Sequence, residues 1–275
     1  GLHRSPYHGF SVEFAEHRPY NPGDELRHVD WKVYAKTDRY YIKQYEEETN
    51  LRNYVVLDTS ASMRYQGEGP LSKLDYGAYL AAGLHNLMLK QRDATGLIGF
   101  DESVHTFRPP KATPGYLRQL LVALDRMHRR EAEGERTSAA AALEEVAQRV
   151  KRRSLVVVIT DLFENIAAHD DLLRALRHLR HRGHEVVVFH VLEGSTERQF
   201  HFPDRPMLFR DVETGDEVRL QPAQVRDHYT EAVEHFTETF RRSCLEHDID
   251  FAELDTHEPY DTALMAYLNK RSRLA

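Results

Sequence analysis

The amino-acid sequence predicts a Rossmann-like α/β fold, a mostly parallel sheet with helices on both faces, because buried strands alternate with amphipathic helices along it. Two runs, VVVIT at 156–160 and VVVFHV at 186–191, are continuous and β-branched rather than alternating. Such runs are typical of strands that are covered on both faces. Between the runs, leucines such as Leu80, Leu84 and Leu87 recur at three- and four-residue spacing, which indicates helices with one apolar side.

These patterns give the elements of the sheet in order. Helices are predicted between and after the strands, and Gly183 is placed to end the fourth helix as a residue with positive φ. The predicted strands are Tyr54–Leu57, Thr95–Phe100, Leu155–Thr160, Glu185–Leu192 and Ile249–Leu254, and the predicted helices are 72–92, 114–128, 137–152, 170–182, 222–247 and 259–272.

Two segments fall outside this alternation. Residues 1–50 show no helical pattern; NPGD at 21–24 predicts a type II turn, and YYIKQYEEE after it an extended strand. Residues 207–221 predict a β-hairpin with its turn near Gly215. We therefore expect an extended N-terminal piece, residues 1–50, packed on a main domain of residues 51–275 that carries a small inserted hairpin.

Composition narrows the function classes. The chain has 275 residues and a net charge of −7, so nonspecific binding to nucleic acid or to an anionic membrane is not favoured. No stretch reaches the roughly 20 apolar residues that span a bilayer. The lone cysteine, Cys244, excludes an intramolecular disulfide and fits a reducing compartment. We expect a cytoplasmic protein in which Cys244 is a small buried hydrophobe on a helix.

The segment VVLDTSASM, residues 55–63, carries the first candidate site. Asp58 ends the first strand of the parallel sheet, at the edge where ligands gather in open α/β sheets. Asp58, Ser60 and Ser62 alternate, so a tight loop can present one carboxylate and two hydroxyl oxygens together. Oxygen ligands of this kind suit Mg²⁺ or Mn²⁺. The alternative is that the three residues cap the following helix.

Two later residues extend this set. Asp161 follows VVVIT at the corresponding edge of the sheet, and Thr137 lies in the loop before a helix. Thr137 or Ser138 could equally cap that helix. Catalytic alternatives fit less well, because no G-x-S-x-G segment surrounds Ser60 and the second acid required by haloacid-dehalogenase-type phosphatases is replaced by Ser60. No Walker A or G-x-G-x-x-G motif is present.

A zinc site is the other metal hypothesis. His178, His181 and His184 cluster in RHLRHRGHE, but His184 lies beyond Gly183 and arginines crowd the same turn. We interpret this stretch as a solvated helix end whose cations complement the helix dipole.

The pattern D-x-S-x-S…T…D, on this order of elements, resembles the metal-ion-dependent adhesion site of von Willebrand factor type A domains. The resemblance implies that Ser60, Ser62 and Thr137 bind a divalent cation, Mg²⁺ or Mn²⁺, and that Asp58 and Asp161 bind it directly or through water. An open position on that cation would accept a carboxylate from a protein partner.

Residues 12–50, VEFAEHRPYNPGDELRHVDWKVYAKTDRYYIKQYEEETN, together with KRRSLVVVITDL and HRGHEVVVFHVL, resemble the bacterial domain of unknown function 58 family. The resemblance implies a MoxR-type AAA+ ATPase as partner. Because catalytic motifs are missing and the hydroxyl ligands would leave an open position on the cation, we expect a non-enzymatic adaptor. A metal-dependent phosphoester hydrolase and a scaffold with a purely structural metal site remain the alternatives. Arg18, Asp24, Asp30 and Trp31 carry the N-terminal pattern. They either stabilise a turn, with Trp31 as a packing anchor and Arg18 paired with a carboxylate, or form a docking surface for the ATPase.

Overall fold

A computed structural model describes residues 12–25, 29–47, 51–113, 115–130, 139–162, 169–212 and 215–265. The chain divides into two compact units, Gly1–Leu51 and Arg52–Ala275. The larger unit contains the central sheet and all of the described candidate metal ligands.

The central sheet has six strands, and five of them are parallel. Its strands are β3 (Arg52–Asp58), β4 (Ala94–Phe100), β5 (Val104–Lys111), β6 (Leu155–Thr160), β7 (Glu185–Leu192) and β10 (Ile249–Asp255), in the spatial order β10-β7-β6-β3-β4-β5. Only β5, at one edge, runs antiparallel to its neighbour. The predicted mostly parallel sheet is confirmed. The prediction lacked β5, because Pro109 and Pro110 in VHTFRPPK argue against a strand except at the edge of a sheet.

Helices cover both faces of this sheet. α4 (Ala139–Arg149), α5 (His169–His181) and α6 (Pro222–Glu246) share one buried cluster with Val56, Val158 and Val188 of the strands. α2 (Lys73–Lys90) packs on the other face, and α3 (Tyr116–Arg129) packs beside it. These five helices confirm the predicted ones. Residues 260–265 begin the sixth, and the rest of its predicted range lies outside the described residues.

Gly77 sets how closely α2 approaches the sheet. A Cβ at Gly77 would lie 3.0 Å from Leu57 Cδ1 and 3.1 Å from Ile159 Cγ2, so a larger residue would force the helix away. This close approach lies one helical turn from Lys73. It therefore fixes the position of the helix N-terminus over β3 and β6.

Two local predictions in the larger unit are confirmed. Gly183 has φ 86°, its N–H donates to Arg180, and the next N–H, of His184, donates to Leu179. This pair of bonds is the Schellman arrangement that ends a helix at glycine. The inserted hairpin is formed by β8 (Met207–Arg210) and β9 (Glu217–Leu220), which pair antiparallel; residues 213 and 214 of its turn lie outside the described residues.

The smaller unit pairs β1 (Val12–Pro19) with β2 (Tyr41–Glu47) in an antiparallel ribbon. The NPGD turn is present: Gly23 has φ 108° and the Asp24 N–H donates to Asn21. The prediction that residues 1–50 contain no helix is wrong, since α1 (Trp31–Thr37) follows the turn. Asp30 caps this helix by accepting from two backbone N–H groups of its first turn, so one cap supports a short, weakly periodic segment.

Candidate metal centre

The loop after β3 brings the first three candidate ligands together. Asp58 is the last residue of β3, and its Oδ1 accepts from the backbone N–H of Ser60 at 2.9 Å. The Ser60 and Ser62 hydroxyl oxygens are 3.0 Å apart. All three side chains are buried. The loop thus gathers one carboxylate and two hydroxyls away from solvent, at the carboxyl edge of the sheet.

The alternative that these residues cap the next helix is wrong. α2 is capped by Ser72, whose hydroxyl oxygen accepts from the backbone N–H of Asp75. The short 3₁₀ turn at Ser62–Arg64 is preceded by Ala61, which supplies no side-chain cap. The oxygens of the Asp58 loop are therefore buried for a reason other than helix capping.

Asp161 reaches the same place from the neighbouring strand. β6 pairs with β3 in parallel, so their carboxyl ends lie side by side. The hydroxyl of Thr160, the last residue of β6, donates to Asp58 Oδ2 at 2.7 Å. Asp161 follows directly and is buried. Thr137, the fifth predicted ligand, lies outside the described residues, as does Ser138.

Charge is concentrated at this point. Burial, followed by the nearby negative charge of Asp161, raises the pKa of Asp58 to about 7, although hydrogen bonds from Thr160 and Ser60 oppose the shift. Without another cation the folded protein therefore favours a protonated Asp58 below about pH 7. Its contribution to folding stability is lost as the pH rises through that value, because a buried negative charge then forms.

The donor set suits a hard divalent cation. Among the described residues, no group of three or more His, Cys, Asp or Glu side chains is placed to hold a metal ion. A metal at this edge would therefore depend on the hydroxyls of Ser60 and Ser62 as well as on Asp58 and Asp161. Burial and the charge of Asp161 disfavour ionised Asp58, and a positive charge at this point would offset both, so the described residues fit Mg²⁺ or Mn²⁺.

Lys73 is the principal residue that sequence reasoning missed. Its side chain is fully buried, and its Nζ donates to Asp161 Oδ2 at 2.7 Å and to Glu197 Oε1. Burial disfavours the charged ammonium, but the charges of Asp161 and Glu197 outweigh burial and raise the pKa of Lys73. One signal was visible in the sequence: Lys73 directly follows the Ser72 cap, where the helix dipole disfavours a cation.

Glu197 comes from a π-helical turn, Gly194–Arg198, that follows β7. Glu193, buried at the end of that strand, accepts from the backbone N–H of Thr196 at 2.6 Å. The Tyr65 hydroxyl lies 2.8 Å from Thr196 Oγ1. The turn is thereby tied to the segment that leads into α2, and Glu197 is held where it meets Lys73.

Every parallel strand ends in, or is directly followed by, an acid, a regularity that the sequence shows and that was overlooked. Three of these acids have evident structural partners. Asp101 pairs with Arg130 at 3.0 Å, Asp255 accepts from the backbone N–H of Gly194, and Glu193 serves the π-helical turn. Asp58 and Asp161 differ from them, because they share one buried space with two serine hydroxyls and a lysine.

Comparisons with known proteins agree with this architecture. The family model described as protein of unknown function DUF58 matches residues 16–239. The chain belongs to the DUF58 family. Uncharacterized protein Rv1480 of Mycobacterium tuberculosis (strain ATCC 25618 / H37Rv) is 28% identical to it, and the match covers 89% of this chain and 75% of Rv1480. Uncharacterized protein Mb1516 of Mycobacterium bovis matches to the same extent.

One solved structure with a TM-score above 0.5 shares the fold. The conserved hypothetical protein BatB from Bacteroides thetaiotaomicron superposes with a TM-score of 0.53 at 16% identity, covering 81% of this chain and 98% of BatB. The SpRpn10 VWA domain gives a TM-score of 0.46 at 10% identity, covering 78% of this chain and 94% of that domain. The fold of this DUF58 protein is von Willebrand factor A-like, as the resemblance implied.

The N-terminal residues of the DUF58 pattern have local structural tasks. Arg18 forms two hydrogen bonds with Asp24, at 2.8 and 2.9 Å, which confirms its predicted pairing with a carboxylate. The bond with Arg18 and one from the Asn21 N–H lower the pKa of Asp24 to about 2. Asp30 caps α1 and contacts His17. Trp31 is 56% exposed, and its role as an anchor of the N-terminal piece on the sheet stays a prediction.

The remaining sequence hypotheses have mixed outcomes. His184 is buried rather than part of a solvated helix end, because the chain turns inward after Gly183; His178 lies 2.7 Å from Glu144. Cys244 is a buried residue of α6, as predicted. In the described part of the chain, none of the helices combines the length and the apolar character that a membrane-spanning segment requires.

Proposed function

We propose that this DUF58 protein is a protein-interaction module whose contact with a partner depends on a divalent cation, Mg²⁺ or Mn²⁺, at the edge formed by β3 and β6. The observation that carries the proposal is the buried set of hard oxygens from Asp58, Ser60, Ser62 and Asp161. Thr137 would complete the set, as the family resemblance implies.

The described residues would bind and orient rather than react. Asp58 is fixed by the Ser60 N–H and the Thr160 hydroxyl, so its carboxylate has little freedom. Serine hydroxyls add no negative charge, so a cation that either carboxylate binds only through water keeps part of its charge and an open position for an acidic side chain of a partner. The adaptor therefore recognises a carboxylate on another protein.

The partner we propose is a MoxR-type AAA+ ATPase or its client, with this protein as adaptor or co-chaperone. The smaller unit supports a docking role, because Trp31 is exposed and its ring lies edge-on to Tyr34, with centroids 6.1 Å apart. Exposed tryptophans are frequent energetic centres of interfaces. The surface around Trp31 would depend indirectly on Arg18, Asp24 and Asp30, since they stabilise the turn and the start of α1.

A hydrolase needs a nucleophile or a base in position, and the hydroxyls nearby have other partners. Ser60 Oγ lies 3.0 Å from Ser62 Oγ, and the Ser60 side chain also hydrogen-bonds Asp58, which is itself a proposed ligand of the cation. Thr59 Oγ1 lies 2.9 Å from His105 Nε2, but its hydrogen is donated to the Phe100 carbonyl at 2.8 Å. These contacts favour binding over turnover.

The test is capture of partner proteins with the purified chain in Mg²⁺ and in EDTA, read by mass spectrometry, with Mn²⁺ titration of the same protein. Asp58→Asn, which keeps the size of the side chain and one of its two acceptor oxygens, should abolish cation binding and cation-dependent capture. Asp101 is a strand-end acid outside the proposed cation site, so Asp101→Asn should preserve both cation binding and capture. Trp31→Ala should weaken capture without changing Mn²⁺ affinity.

Three results would change the function. Partner capture that neither EDTA nor Asp58→Asn reduces, relative to the wild-type protein in Mg²⁺, contradicts the cation-dependent adaptor. Mn²⁺ binding that alters stability but never capture indicates a scaffold with a structural metal. Turnover of a phosphoester that requires Mn²⁺ and disappears in Asp161→Ala indicates a hydrolase.

A further inference from the structure

Lys73 occupies a position that is unfavourable for a lysine in two respects. Its side chain is fully buried, and it is the first residue of α2, where the positive end of the helix dipole lies. Its Nζ also lies 5.8 Å from the centre of the Tyr65 ring. The two carboxylates it contacts must offset both costs, so the lysine is held there by charge.

The Asp161 carboxylate would contact two positive groups, the divalent cation and the Lys73 ammonium. It is a proposed ligand of the divalent cation, and its Oδ2 already accepts from Lys73 at 2.7 Å. Two cations on one carboxylate repel each other strongly in a buried site. Glu197 offers Lys73 a second carboxylate that is not among the proposed ligands, and the ammonium already contacts it.

We propose that Lys73 is a built-in competitor of the divalent cation: its ammonium group neutralises Asp161 in the cation-free site, and cation binding shifts the ammonium from Asp161 towards Glu197. The inference rests on the proposed function, since it concerns the same cradle. Its consequence is a link between cation occupancy and the π-helical turn, because Glu197 belongs to Gly194–Arg198.

The charge of Lys73 is tested by Mn²⁺ titration calorimetry on the full chain. Lys73→Met keeps the length of the side chain and removes the charge. The affinity for Mn²⁺ should therefore be at least about tenfold higher than that of the wild type. Lys90→Met is the matched control, because it removes a charge from the exposed, opposite end of the same helix and should leave the affinity unchanged.

The route through Glu197 is tested by a double-mutant cycle. Glu197→Gln leaves Lys73 dependent on Asp161, so it should weaken Mn²⁺ binding about tenfold in the wild-type background. In the Lys73→Met background the same change should matter less than about twofold, because the lysine through which it acts is gone. The double variant also balances the charges, which keeps the cycle measurable if Lys73→Met alone does not fold.

Specific results would overturn the inference. A Lys73→Met protein that binds Mn²⁺ no more tightly than the wild type contradicts competition. An equal effect of Glu197→Gln in both backgrounds contradicts the route through Lys73. If the Lys73→Met protein does not fold, two other results would overturn the inference. One is a Glu197→Gln protein that binds Mn²⁺ with wild-type affinity. The other is a double variant that binds Mn²⁺ no more tightly than Glu197→Gln does.

Failure of the proposed function is distinguishable from failure of this inference. Wild-type binding that Asp58→Asn abolishes and that the lysine variants do not alter overturns the inference alone. No binding to the wild type or to any Lys73 variant overturns both. Binding that emerges only when Lys73 is replaced supports the inference, with the lysine as the resident cation.

Discussion

The two ends of the same parallel strands bury polar groups in opposite ways. At the amino-terminal edge, His85 Nδ1 donates to Thr95 Oγ1 at 2.7 Å, and Thr95 donates to Asn53 Oδ1 at 3.0 Å. This chain is neutral, since burial lowers the pKa of His85 to about 3. At the carboxyl edge, Asp58 and Asp161 meet a buried lysine. Both edges are covered by α2, so the helix alone does not explain the difference.

The contrast separates structural from functional polarity. A neutral chain of hydrogen bonds ties α2 to β3 and β4 with a fixed direction of donation. Buried charges bring no comparable advantage to stability, because their desolvation costs as much as their pairing returns. Their presence at the edge where ligands bind in open α/β sheets supports the proposed cation site.

The largest expected effect is on the stability of the cation-free protein. Lys73→Met in EDTA should lower the free energy of unfolding by about 3–5 kcal/mol, because it removes the buried positive charge that two buried carboxylates contact. Urea denaturation measures it, with Lys90→Met expected within about 0.5 kcal/mol of wild type. Adding Asp161→Asn to Lys73→Met should recover part of the loss. A loss below about 1 kcal/mol would mean that the charged edge is no more demanding than the neutral one.

The neutral edge should respond to a different change and ignore cations. Thr95→Val removes the hydroxyl while preserving shape, and leaves the His85 donor and the Asn53 acceptor without their partner. We expect a loss of about 2–3 kcal/mol, equal in EDTA and in Mn²⁺. Thr95→Ser keeps the hydroxyl and should lose about 1 kcal/mol for the buried methyl. A Thr95→Val loss that changes with Mn²⁺ would show that the two edges are coupled.

The fold could be predicted because its signals are local. Buried strands such as VVVIT, the Gly183 helix end and the NPGD turn each depend on a few consecutive residues. α1 was missed because its seven residues depend on the Asp30 cap more than on periodicity. β5 was missed because its prolines are tolerated only by its position at the sheet edge.

The candidate site divides in the same way. Asp58, Ser60 and Ser62 form a local motif, and Asp161 ends a recognisable strand. Lys73 has no such motif, since its contacts with Asp161 and Glu197 span 88 and 124 residues of sequence. Only the packing of α2 over the sheet edge brings these groups together. Candidate ligands could thus be predicted from the sequence, whereas the buried lysine beside them could not.

Acid should act on the two edges with opposite signs, and this is the smallest effect we expect. The folded-state pKa of His85, about 3, lies below the unfolded value of about 6.5, so its stabilising contribution is lost as the pH falls below 6.5. The folded-state pKa of Asp58, about 7, lies above the unfolded value of about 3.9, so its contribution is regained as the pH falls through 7. Between pH 7.5 and 5.5 in EDTA each term amounts to about 1–2 kcal/mol. Urea denaturation of His85→Leu should therefore show a smaller acid loss than wild type, and Asp58→Asn a larger one. Protonation of His85 destabilises the folded protein, whereas protonation of Asp58 stabilises it. Equal pH dependence in the two variants would therefore contradict the charge difference between the edges.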